Sequence, residues 1–139
     1  MRNKAPLALI ELLIMLLVFA IGSAWCMQAF SSAKHQALYS NKQDLAVLQA
    51  QNAVELLKHY DGNFLSAAKH MGGSADDFSW HINYDSNWNI TASKDIYRLQ
   101  AEKQKSDSPI YGKAIISVYD CNETLLCSLP AAWQEVDTP

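Results

Sequence analysis

Positive charge is in short supply in this chain. Lys and Arg number 11 against 14 Asp and Glu, a net charge of −3, and the pI is mildly acidic. A nucleic-acid binder displays a basic stripe or patch, so that class of partner is excluded. Enzyme signatures are missing as well. The sequence holds no phosphate-binding G-x-x-x-x-G-K-[ST], no G-x-S-x-G and no H-E-x-x-H. The 4 histidines (His35, His59, His70, His81) fall on different segments without metal-ligand spacing. Asp76-Asp77 and Asp85 lack the alternating oxygen ligands of a calcium loop and read as turn formers. The expectation is a non-enzyme without a cofactor. No internal repeat and no low-complexity linker divides the chain.

Two further absences shape the N-terminal half. Residues 28–60 contain neither proline nor glycine, so nothing there interrupts a helix. Residues 7–27 (LALIELLIMLLVFAIGSAWCM) contain one charge, Glu11. An apolar run of about 20 residues crosses the ~30 Å hydrocarbon core. Arg2, Lys4 and the α-amine precede the run, which directs the N-terminus to the cytoplasm and the body to the outside. A cleavable secretory signal with Ser31-Ser32-Ala33 as its site is the competing reading. A signal core is normally about 7–15 apolar residues, shorter than this run, and this one carries a Glu. Trp25 occupies a position where a lipoprotein signal requires a small residue, so Cys26 reads as an apolar helix residue.

Glu11 is the informative exception. A carboxylate in hydrocarbon costs roughly 2.5–3.5 kcal/mol on insertion scales, and intramembrane acids usually have a partner and a role. Glu11 lies one helical turn into the run, about 6 Å at 1.5 Å per residue. A cation at the start of a neighbouring copy of the same helix is the natural partner.

The segment Leu7-Ala8-Leu9-Ile10-Glu11-Leu12-Leu13-Ile14 resembles the N-terminal signature of the type IV pilin and pseudopilin superfamily. Arg2 and Lys4 stand where that family has a basic leader, Leu7 where it has the first mature residue, and Glu11 where it has a glutamate at the fifth mature position. The resemblance implies cleavage by a prepilin peptidase between Pro6 and Leu7 and methylation of the new amine. It also implies pairing of Glu11 with the amine of an adjacent subunit, driven by an assembly ATPase and a platform protein. Pro6 departs from the family, which has Gly there; proline locks φ and removes an N–H, which disfavours cleavage at this bond. The stretches VLQAQNAVELLKHYDGNF and NYDSNWNI also resemble small single-pass pilin-like proteins of Gram-positive bacteria.

The remaining chain reads element by element. One helix is expected from about Pro6 to Tyr60, with Gly22-Ser23 a place for a bend. In its second half Asp44, Gln51, Glu55 and Lys58 share a polar stripe, and Leu45, Leu48, Ala53, Leu56 and Leu57 fill the remaining arc. Glu55 and Lys58 are spaced to pair. Gly62 suits a left-handed cap. A short helix over residues 63–71 ends at Gly72-Gly73. Phe78, Trp80, Ile82 and Tyr84 alternate with polar residues, as do Tyr97, Leu99 and Ala101, which is the strand period. Asp85-Ser86-Asn87 is a turn, followed by Trp88 and Ile90; residues 103–109 are a loop. Residues 112–119 (GKAIISVY) are a central strand, residues 120–123 a turn, and residues 124–129 a last strand stopped by Pro130. Residues 136–139 are a frayed tail.

The domains are therefore a leader (1–6), a transmembrane helix (7–28), its amphipathic continuation (29–60) and a globular part (61–139). The fold class is α+β, one long helix on a small antiparallel sheet. The resemblance implies the same layout. Cys121 and Cys127 flank the last turn; outside the membrane they could close a hairpin disulfide, and many pilins staple a C-terminal loop. The simplest turn does not set them opposite each other, so both states stay open. Trp80 and Tyr84 read as core, Trp88 and Trp133 as less constrained. Asn89 and Asn122 match the N-glycosylation pattern, which bears only on a eukaryotic host.

Two functions follow. One is a structural filament subunit, a minor rather than a major one because of Pro6, with other pilin-like subunits and the lipid bilayer as partners. The other is a non-assembling, membrane-anchored extracytoplasmic binding or sensor domain, for which Glu11 is immaterial.

Overall fold

The computed structural model describes residues 5–93 and 96–135. Arg2, Lys4 and the tail 136–139 lie outside them. The chain forms two compact units, Met1–Ser40 and Asn41–Pro139. Helix α1 (Ala5–His59) contributes to both.

In the first unit the helix begins at Ala5, with Pro6 in its first turn. Proline is tolerated there because its missing N–H would have no intrahelical acceptor. Residues 5–40 are all exposed. The helix continues through Gly22-Ser23 without interruption, and the Ser23 hydroxyl donates to the Phe19 carbonyl at 2.8 Å. That back-bond satisfies the one polar group in the middle of the apolar run.

In the second unit, residues 41–59 of α1 and helix α2 (Phe64–Met71) pack on an antiparallel sheet. Its strands are β1 (Ser74–Ala75), β2 (Ser79–Tyr84), β3 (Tyr97–Gln104), β4 (Tyr111–Asp120) and β5 (Leu125–Gln134). They are ordered β1-β2-β3-β4-β5, each paired with the next in sequence. The architecture is thus the expected α+β one.

The core follows from the strand period. Ile82 faces Leu99, Leu99 faces Val118, and Val118 faces Cys127 across the sheet. The next row is Trp80, Ala101, Ile116 and Leu129. The first three residues of each row are fully buried, as is Tyr84. Each large apolar side chain so buried stabilises by about 1.5–3 kcal/mol.

Several expectations are corrected in detail. The helix face on the sheet is narrower than the leucine arc suggested: the residues at zero exposure are Ala46, Ala50, Ala53 and Leu57, while Leu48 is exposed. These small side chains share the buried core with the bulky Trp80 and Tyr84. Glu55 and Lys58 are both exposed and form no ion pair with each other among the described residues. Phe78 falls outside β2 and is exposed, because the strand begins only at Ser79. Between the Asp85 turn and β3, the described residues form only an isolated bridge, between Tyr84 and Ile90. β3 runs to Gln104, and β5 passes through Pro130 to Gln134. Pro130 is accommodated because β5 is an edge strand, on which alternate N–H groups point away from the sheet.

The ends are capped as expected. Asn63 accepts from the Ser66 N–H at 2.9 Å to start α2, and the Gly72 N–H donates to Ala68 to end it. Gly62 adopts φ 78° and donates to the Leu57 carbonyl at 2.7 Å.

Candidate functional site

Glu11 sits on the exposed surface of α1, flanked by Leu7, Ile10, Ile14 and Met15. These neighbours are 71, 58, 54 and 64% exposed. Leu7, Ile14 and Met15 lie one turn to either side of the acid, as the 3.6-residue period requires, and Ile10 directly precedes it. Among the described residues Glu11 has neither a hydrogen bond nor an ion pair. Its described neighbours on the helix are all apolar. Pro6 and Leu7, the expected processing position, lie in the first turn of the same helix. Among the described residues one helix is long and apolar enough to cross a membrane, and it is this one.

Cys121 and Cys127 are free thiols. Cys127 lies on β5 opposite Val118, whereas Cys121 lies in the turn between the strands. The Asp120 carboxylate beside Cys121 raises that thiol's pKa, and burial raises that of Cys127. Neither is a ready thiolate. Leu126 is the extra residue of a bulge: Val118 pairs with Cys127 and Tyr119 with Leu125. That bulge brings Leu126 into the core and shifts the register of the hairpin next to both cysteines.

The acidic residues read as turn formers behave as such. Asp76 accepts from the N–H groups of Phe78 and Ser79 at 2.8 and 2.7 Å. Asp85 accepts from Asn87 and Asn89 at 2.8 and 2.9 Å. These backbone donors hold both carboxyls below the usual range. Among the described residues no group of three metal-ligating side chains converges. His59 and His70 flank Tyr60, with ring centroids 4.9 and 6.4 Å from it.

Sequence reasoning missed one surface feature. Residues 103–111 fold beside Phe78 and Glu135 to form an open cleft of about 500 Å³. The one available signal was the mismatch of Phe78, an apolar residue at the start of a strand pattern and next to two acids.

No protein-family model, curated protein or solved structure matches this chain.

Proposed function

We propose that this chain is a pilin-like or pseudopilin-like structural subunit of a type IV pilus or type II secretion-type filament, most simply a minor one. The observation that carries the reading is Glu11: one carboxylate that, among the described residues, has no hydrogen bond or ion pair, on a helix exposed throughout residues 5–40. An anchor alone needs no acid at that depth, and leucine there would insert without penalty.

Residues 7–28 hold the subunit in the bilayer with the sheet domain outside. Extraction by an assembly ATPase and platform protein then brings the helix among its counterparts in a filament. There Glu11 meets a cation of a neighbouring subunit: the amine of Leu7 after processing, or Arg2 or Lys4 when the leader is retained. The low dielectric of such a core strengthens the pair, and removing one partner leaves the other charge uncompensated. Pro6 slows processing, which suits a subunit needed in few copies.

Intact-mass and N-terminal analysis of the protein from its native membrane tests this reading. A start at Leu7 or Pro6 supports it. An intact Met1 favours the anchored-domain alternative, and a start near Lys34 identifies a secreted protein and overturns both.

A further inference from the structure

The cleft beside β3 is assembled from three separate segments held together by backbone hydrogen bonds. The Lys103 N–H donates to the Phe78 carbonyl and the Glu135 N–H to the Ile110 carbonyl, both at 2.8 Å. Within its lining, Lys103 Nζ lies 2.9 Å from Glu135 Oε1, with the two side chains 35 and 38% exposed. Phe78 and Tyr111 also line it and are 70 and 53% exposed. Ser106 and Ser108 add hydroxyls.

This combination restricts what fits. Among the described residues the charged members of the lining are Lys103, Lys105, Asp107 and Glu135, two of each sign, so this lining carries no net charge to select an anion or a cation. Its apolar surface is aromatic and stands in water, where a large exposed ring beside convergent polar groups is characteristic of a binding site. Lys103 Nζ donates to Glu135 Oε1 and keeps two further N–H donors beside the carboxylate's remaining acceptor sites. A half-exposed pair of this kind contributes little to stability, so a ligand can share its hydrogen bonds at small cost.

We infer that the Phe78–Lys103–Glu135–Tyr111 cleft is a binding site for a neutral saccharide. A sugar ring supplies the complementary surface: C–H faces to lie on aromatic rings, and adjacent hydroxyls that donate to Glu135 while accepting from Lys103. The ring C–H groups carry the positive edge that the negative π-face attracts. This inference does not rest on the filament reading and stands or falls separately from it.

The test is saturation-transfer NMR on the full chain in lipid nanodiscs, which avoids glycoside detergents. The probes are a neutral N-acetylglucosamine oligomer, a neutral glucose oligomer, an anionic galacturonate oligomer and a neutral hexapeptide. Transfer to ring protons of at least one neutral oligosaccharide is expected. Phe78→Ala should weaken it about tenfold, and Glu135→Gln should weaken it while retaining the fold. Phe78 is exposed, so its truncation leaves the core intact; an unchanged thermal midpoint checks this. Absence of transfer from both neutral sugars, equal transfer in Phe78→Ala, or preference for the anionic oligomer or the peptide would overturn the assignment.

Discussion

Trp133 lies across Gly112 so closely that a β-carbon on that glycine would sit 2.2 Å from the indole Nε1. The two residues are register partners on β5 and β4. The same indole covers Gly62, at the end of α1, and meets Phe64 edge-on at 6.4 Å. One side chain thus packs against the sheet, the helix cap and α2. Gly112→Ala should destabilise the protein by about 1–3 kcal/mol, since the new β-carbon would overlap the buried ring. The double variant Gly112→Ala/Trp133→Leu should lose less than the sum of the two single changes, because the clash is then gone. Chemical denaturation of the four proteins measures the coupling. Additive losses would show that the ring does not bear on Gly112.

The alanine seam of α1 gives a second prediction. Ala50 is fully buried against the sheet and Leu48, on the same helix, is half exposed. Ala50→Leu should cost about 1–3 kcal/mol through overpacking, while Leu48→Ala should stay within roughly 0.5 kcal/mol. The same denaturation midpoints decide it. The hydrophobicity of the two residues would give the opposite ranking.

Alkaline pH should unfold the second unit through Tyr84. Burial pushes its phenol from the usual 10.0 up to about 12. The folded protein keeps a proton that the unfolded chain releases, so stability is intact below about pH 10 and falls as pH rises toward 12. Tyr84→Phe should remove this part of the loss. Its cost at neutral pH should be small, because the hydroxyl's bond to Gln49 Oε1 is long, 3.5 Å. Melting curves from pH 8 to 12 on both proteins provide the comparison. At the acid end the signs reverse: Asp76 and Asp85 are held low by backbone N–H groups, so what they contribute is present above the ordinary carboxyl range and fades as pH falls below it.

Much of the fold was legible because it depends on period. Trp80, Ile82 and Tyr84, then Tyr97, Leu99 and Ala101, alternate in the sequence and are buried in the structure. Absence of proline and glycine announced α1 and Gly62 its end, while Gly72 announced the end of α2. What stayed hidden depends on position within the sheet. Pro130 halts a central strand but not an edge one, and edge status is a property of the whole topology. Ala53 and Leu57 were legible in the buried arc, but Ala46 and Ala50 were obscured because leucine dominates any hydrophobicity count. The cleft near Lys103 joins Phe78 to Glu135, which lie far apart in the chain. Glu11 was legible for a different reason: a lone charge in an apolar run stands out without any knowledge of tertiary structure.

Glu11→Ala expressed beside the wild-type chain in its native host, followed by quantification of both proteins in membranes and in sheared surface filaments, is the most direct test of the proposed role. The variant is expected at the wild-type level in the membrane, since it removes the one charge from the apolar run, and absent from the filaments. Incorporation of the variant at the wild-type ratio would contradict an assembly role for Glu11.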